Sequence, residues 1–235
     1  MFYFNQFSVN NSENAMKVGT DAVTLGAWMP IPKDCKTILD IGCGCGVISF
    51  MLASTTKAQI TGIDIDEKSI EEAHKNAENF TWKDQLEFIW DSVQNFAQTT
   101  SKRFEVIVTN PPFFENSLKS PNSNRNLARH TDTLSFEELI AAVEILLSEN
   151  GRFGIILPPE QAEKFDDMAL QKSLYPTKKT CLFPTPEKKS NRILTMYERN
   201  YAVCEKDNTI IRDGGKYTGD YYMIVKDFLK IIVNH

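Results

Sequence analysis

Apolar residues in this chain gather into short dense runs, and most of the segments between those runs carry apolar residues three or four positions apart. The runs are Thr37–Ile41, Gln59–Asp64, Leu86–Trp90, Phe104–Thr109 and Arg152–Leu157. Near-continuous Ile, Val, Leu and Phe over so few positions is the pattern of strands covered on both faces. Between them, Val47 to Ser54 reads as a helix, and Asp66 caps another whose Ile70, Ala73 and Ala77 form an inward stripe. Ser135-Phe136-Glu137-Glu138 is a capping box opening a helix with Leu139, Ile140, Val143, Leu146 and Leu147 on one side. Glu160 to Leu174 continues as helix, Thr180–Phe183 and Ile193–Tyr197 are strand-like, and Thr218 to Val233 is a last helix packing Tyr221, Tyr222, Val225, Phe228, Leu229 and Ile232 inward. Strands alternating with helices predict an α/β fold: a seven-stranded, mostly parallel sheet with helices on both faces.

The first 36 residues do not fit that alternation. Aromatic residues at 2, 3, 4 and 7 and a polar stretch lead into Met16-Lys17-Val18-Gly19-Thr20-Asp21, then a short helix capped by Thr20 or Asp21 with Leu25 and Trp28 on its apolar side. The chain of 235 residues is then one domain: a cap over 1–36, a core over 37–200 and an extension over 201–235.

Composition removes several classes of function. Five cysteines without a C-x-x-C pair, with three scattered histidines, argue for reduced thiols and against a metal site. No apolar run is long enough to span a bilayer and no basic region precedes an apolar one at the N-terminus, so the expected location is the cytoplasm. A net charge of -5 gives no global basic field, and a nucleic-acid partner would need a local patch.

Candidate chemistry collects where the strands end. The first strand runs straight into Gly42-Cys43-Gly44-Cys45-Gly46, a turn whose glycines let a ligand approach the backbone and whose following helix start offers N–H groups. Cys43 and Cys45 read as small loop fillers. The second strand ends in Asp64, 22 positions after Gly42, where such folds place a carboxylate on a ribose. The third ends at Asp91-Ser92, and Asp91 either meets an adenine or caps the loop. The fourth ends in Asn110-Pro111-Pro112-Phe113. Proline stops the ladder abruptly, the Asn oxygen and a carbonyl beside proline can converge on one amino group, and the aromatic ring offers a stacking face. An ordinary strand-ending turn is the competing account.

Two segments carry positive charge. Residues 114 to 134 include Lys119, Arg125 and Arg129, and 172 to 199 hold seven basic residues against two acidic ones, with Lys188, Lys189 and Arg192 in the connection between two strands. Such runs are either solvated surface or contacts to phosphates.

Strand-DIGCGCG-helix, the acid ending strand two, Asp91 and VTNPPF ending strand four together resemble the class I S-adenosylmethionine-dependent methyltransferases that modify exocyclic amines. With Ala15-Met16-Lys17-Val18-Gly19-Thr20-Asp21 and Leu25-Gly26-Ala27-Trp28, the chain is similar to the bacterial tRNA1(Val) adenine-N6 methyltransferases acting on nucleotide 37. The resemblance implies a Rossmann-like fold and S-adenosylmethionine as cofactor. Gly42, Gly44 and Gly46, with Asp40, would line its methionine part, Asp64 its ribose and Asp91 its adenine, under a cap of Thr20 and Asp21. Asn110, Pro111, Pro112 and Phe113 would hold the target base, while Lys119, Arg125, Arg129, Lys188, Lys189 and Arg192 would contact the tRNA, met by a monomer without metal. Phe113 stands where many relatives have Tyr. The same motif serves enzymes acting on guanine N2 or on protein glutamine, and a silent RNA-binding subunit of this fold is the alternative outside catalysis.

Overall fold

The computed structural model of the chain describes residues 1–10, 18–111 and 134–229. An N-terminal hairpin of β1 (Phe2–Tyr3) and β2 (Ser8–Val9) is followed by α1 (Thr20–Trp28), β3 (Thr37–Ile41), α2 (Val47–Ala53), β4 (Gln59–Asp64) and α3 (Glu67–Ala77). Next come β5 (Leu86–Trp90), α4 (Val93–Thr99), β6 (Phe104–Thr109), α5 (Phe136–Leu146), β7 (Leu147–Leu157) and α6 (Pro159–Gln171). β8 (Tyr175–Phe183), β9 (Arg192–Glu198), β10 (Glu205–Ile210), the small hairpin β11 (Arg212–Asp213) and β12 (Lys216–Tyr217), and α7 (Gly219–Val225) complete the described elements.

The central sheet has the order β10-β8-β9-β7-β6-β3-β4-β5, and β9 alone runs against its neighbours. Among the described residues it therefore holds eight strands where the apolar runs predict seven. The extra strand is β10, whose sequence Glu-Lys-Asp-Asn-Thr-Ile lies at the sheet's edge and is exposed over its first four residues. A strand paired on one side only needs no apolar run, so its polarity hides it.

Both faces of the sheet are covered, and the period of two decides which residue goes where. On β6, Ile107 points into a cluster with Phe96 of α4, Leu139 and Val143 of α5 and Phe165 of α6. Its neighbours Val106 and Val108 point the other way, toward Leu25 and Trp28 of α1 and Ile48 and Leu52 of α2. All three β6 residues are fully buried. Truncating such a side chain to Ala costs roughly 2–5 kcal/mol.

The two ends of the chain meet on the α1 side. Asn5 N–H donates to Phe228 O at 2.8 Å and its Nδ2 to Lys226 O at 3.0 Å. Phe4 and Phe7 stack at 4.4 Å, and Phe7 sets its ring edge-on to Phe80 and Trp82 beyond α3. Tyr221, Val225 and Phe228 are buried and Tyr222 and Leu229 partly so, but the helix read as running from Thr218 to Val233 ends at Val225, and Ile232 lies outside the described residues.

Several boundaries differ from the sequence reading. α1 is capped by the backbone of Gly19 and not by the Thr20 or Asp21 side chain; Thr20 offers its carbonyl to the Thr24 hydroxyl instead. β7 begins at Leu147 and not Arg152, because Leu147 already pairs with Phe104 across a register shift. β8 begins at Tyr175, five residues before the apolar stretch, its ladder with β9 slipping between Pro176 and Lys178. The Asp66 cap and the Ser135–Glu138 capping box stand as read.

Candidate active site

The register of the sheet brings the candidate residues to one level. Ile41 of β3 pairs with Ile63 of β4 on one side and with Thr109 of β6 on the other. One residue further along each strand stand Gly42, Asp64 and Asn110. The chain runs from β3 outward to β4 and β5 in one direction and reaches β6 in the other, so this level lies at the point where strand order reverses, the place where open α/β sheets bind ligands.

The glycine turn is clamped over β4. Gly42 and Cys43 N–H both donate to Ile63 O, at 2.8 and 3.0 Å. Gly42 and Gly44 have φ of +67° and +54°, and a Cβ on either would meet nothing within 4 Å. Their glycine character answers to backbone conformation, and the space over the turn stays open to a ligand. Gly46 differs: φ is +88° and a Cβ would lie 2.6 Å from the Phe50 ring. Cys43 and Cys45 are buried in the apolar cluster beneath, as loop fillers should be, and burial holds the Cys43 thiol well above its usual range.

Three acids frame the turn. Asp40 is 1% exposed; its Oδ2 accepts from Ser49 N–H at 3.0 Å and from the Ser49 hydroxyl at 2.7 Å. It thus caps α2 from inside the protein, and the Ser49 N–H that a helix start would show to a ligand is already engaged. Burial pushes the Asp40 carboxyl up to about 7, against the two Ser49 bonds, and its Oδ1 is buried with no partner among the described residues. Asp64 takes Gly44 N–H on Oδ2 at 2.8 Å and Asp66 N–H on Oδ1 at 2.9 Å, and burial raises its carboxyl too. Ile65 N–H is a further backbone donor to this carboxylate, and of its roughly four acceptor sites the remaining capacity can meet a hydroxyl. Asp91 is engaged by Ser92 N–H at 2.7 Å and by Asn95 Nδ2 at 3.0 and 2.9 Å, the loop-capping arrangement.

Beside Asp64 and Asp91 are two large apolar side chains that sequence reading passed over. Ile65 is 60% exposed and Trp90 57%, and Trp90 Nε1 donates to Ile65 O at 3.0 Å. The available signal was positional: each adjoins an acid at a strand end, where an apolar residue has no core to enter.

Asn110 leaves β6 half-buried, and its Oδ1 is buried with no hydrogen-bond partner among the described residues. An unpaired buried amide oxygen costs about 1–3 kcal/mol, and this one is able to accept from an amine. Pro111 is buried next to it. Pro112, Phe113, Lys119, Arg125 and Arg129 lie outside the described residues.

The basic connection between β8 and β9 reaches the same edge, because β8 ends there and β9 starts there; Ile193 pairs with Leu157 at the end of β7. Lys188 and Lys189 are exposed. Arg192 Nε instead donates to Asp21 Oδ2 at 2.7 Å, an ion pair joining the cap helix to the basic connection across 171 positions of sequence. The residues read separately, one for the cofactor cap and one for RNA, are partners.

Strand order, glycine turn and acids on one edge define a methyltransferase of the mostly parallel α/β type. The family model for the methyltransferase small domain matches residues 25–164. A predicted O-methyltransferase from Agrobacterium tumefaciens superimposes with a TM-score of 0.69 at 17% identity, over 88% of this chain and 96% of that one. The T. thermophilus 16S rRNA N2 G1207 methyltransferase, solved with AdoMet and guanosine, gives 0.56 at 20% identity over 80% of this chain and 45% of that one. Both likenesses concern the fold. In sequence the chain is 43% identical over 230 residues to the tRNA1(Val) (adenine(37)-N6)-methyltransferase of Flavobacterium psychrophilum, covering 97% of this chain and 98% of that protein. It belongs to the tRNA1(Val) (adenine(37)-N6)-methyltransferase family.

Proposed function

We propose that the protein methylates the N6 amine of adenosine 37 in the anticodon loop of a tRNA, with tRNA1(Val) as substrate and S-adenosylmethionine as methyl donor. The observation that carries this reading is the buried Asn110 Oδ1, without a partner among the described residues and level with Gly42 and Asp64. When bound, S-adenosylmethionine supplies an electrophilic sulfonium methyl. The residues fit it: Gly42 and Gly44 leave room for the methionine part, Asp64 keeps acceptor capacity for the ribose, and Ile65 and Trp90 offer apolar surface to the adenine, with Asp91 beside them. Asp40 acts from below, by fixing the start of α2.

Adenine N6 is a poor nucleophile because its lone pair is delocalised into the ring. Asn110 Oδ1 and the Pro111 carbonyl accept the two amine hydrogens, which localises the lone pair on nitrogen at the expense of its conjugation with the ring and stabilises the positive charge that develops there. Gly42 and Asp64, level with Asn110, would hold the methyl donor beside the amine, and that positioning would supply the rest. The methylated amine is acidic enough to release its proton to solvent, so no strong base is needed. Unstacking the base costs least in a single-stranded loop. Lys188 and Lys189 meet phosphates at the same edge. Among the described residues no helix is long and apolar enough to cross a membrane; the reading as a tRNA-modifying enzyme puts its work in the cytoplasm.

The direct test incubates the purified protein with labelled S-adenosylmethionine and tRNA1(Val), with and without A37 replaced by G. Label recovered as N6-methyladenosine and lost with the replacement is the expected result. Label appearing in guanosine or in protein glutamine would assign the same site to another amine.

A further inference from the structure

The chain after β9 supplies nothing to the proposed chemistry, yet it returns to the same edge. β10 runs parallel to β8 and ends beside it, and the chain turns back as the β11–β12 hairpin. Backbone bonds seat that hairpin on the basic connection: Ile211 N–H donates to Phe183 O at 2.8 Å and Arg212 N–H to Pro184 O at 3.1 Å. Gly214 and Gly215, at φ of +55° and +81°, make its turn.

On the hairpin stands a column of three planar groups. At its base, Tyr221 is 1% exposed and its hydroxyl bonds the Thr24 hydroxyl of α1 at 3.0 Å. Tyr217 stacks on Tyr221 with centroids 5.3 Å apart and planes 16° from parallel. The guanidinium carbon of Arg212 lies 3.8 Å above the Tyr217 ring, and Arg212 Nη1 donates to Gly215 O at 2.9 Å. Arg212 itself is exposed. The column is fixed below by core packing and ends at the surface in a flat cationic group.

Charge alone does not account for this construction. Arg212 and Lys216 share the hairpin with Asp213, and Asp220 follows at the start of α7, so the segment adds little net positive field. What it adds is a plane. A guanidinium with one face on an aromatic ring presents its other face to a second flat group, and unpaired RNA bases are commonly held on Arg planes in this way. We propose that the outer face of Arg212 is a stacking platform for an unpaired nucleotide of the RNA substrate, distinct from the one that is methylated. β10 lies four strands from β6, about 19 Å at the usual strand spacing, so the stacked base is a neighbour of the target and not the target. This inference rests on the RNA-methylating reading above.

The test measures binding of an anticodon stem-loop RNA by fluorescence anisotropy for the wild type, Arg212→Ala and Arg212→Lys, at several salt concentrations. Stacking predicts that both variants raise Kd by about tenfold, the scale of one stacked base. It also predicts a salt dependence close to that of the wild type for Arg212→Lys, with cofactor affinity by calorimetry unchanged in both. Wild-type binding by Arg212→Lys with weakened binding by Arg212→Ala would make the contact a simple phosphate contact and overturn the platform. Wild-type binding by both variants overturns it as well. If the wild-type protein neither binds nor methylates RNA, the functional reading fails and the platform with it, a result separate from the first two.

Discussion

The carboxyl edge of the sheet has two halves, and they are built from opposite materials. From β6 to β5 the edge is built around polar groups fixed by backbone bonds or burial, with Ile65 and Trp90 exposed beside them: the glycine turn clamped on Ile63, Asp40 under α2, Asp64 gripping Gly44, Asn110 with its oxygen buried. From β9 to β10 it consists of exposed cations on a connection and a hairpin, with the Asp21–Arg192 pair as the described ion pair tying them to the cap helix. A small donor of fixed shape is suited by the first kind of surface, because preorganised groups lose little entropy on binding it. A large polyanion is suited by the second, where affinity grows with counterions released and geometry is forgiving.

Breaking the buried half has the larger consequences. Asn110→Ala is expected to lower kcat by about 10²-fold or more, the scale for deleting one preorganised charge-stabilising group, with cofactor affinity by calorimetry near wild type. Turnover within a few-fold of wild type would remove Asn110 from the chemistry. Gly46→Ala combines a left-handed backbone with a Cβ placed 2.6 Å from Phe50. A loss of roughly 2–3 kcal/mol in chemical denaturation is expected from strain plus overpacking. Gly44→Ala, with open space at its Cβ, should pay the backbone cost alone and so lose less stability.

Asp40 gives a pH signature that the exposed half lacks. Its folded carboxyl is raised by burial to about 7, above its unfolded value of 3.8, so the native state holds a proton that the unfolded chain releases. Stability from this group is fully present below about pH 4 and is lost as pH rises to about 7, after which it is flat. In Asp40→Asn, which has no proton to lose, thermal melting followed from pH 4 to 8 should fall less across that window than in the wild type. Parallel curves for the two proteins would show that Asp40 does not titrate there.

The same division explains what could be read from sequence. The buried half is written locally: an apolar run, its stop signal and the polar residue that follows are adjacent, so Gly42, Asp64 and Asn110 could be picked out one strand at a time. Even there, the Ser49–Asp40 bonds escaped, because they depend on how neighbouring segments fold back, and the exposed Ile65 and Trp90 were passed over although each adjoins an acid at a strand end. The exposed half is written at a distance. Asp21 and Arg192 are 171 positions apart. β10 has no apolar run, and the Arg212–Tyr217–Tyr221 column joins residues whose side chains only the hairpin brings into line. Charge runs marked the region without showing which cations face outward.

The smallest expected effect lies in that exposed half. Lys188 and Lys189 are both exposed, in a connection that ends on the same edge as Asn110, and neither is held in an ion pair among the described residues. Replacing both with Glu leaves the buried half intact, so cofactor affinity and melting temperature should match the wild type. RNA affinity should fall at low salt, and the slope of log affinity against log salt should become shallower by about 1.4, the amount for two phosphate contacts on a single strand. At high salt the two proteins should converge, because salt already weakens the lysine–phosphate attraction that the double variant removes. A uniform loss of affinity at all salt concentrations would mean that the lysines shape the connection and do not meet phosphates, and the two halves of the edge would then differ less in kind than their exposure suggests.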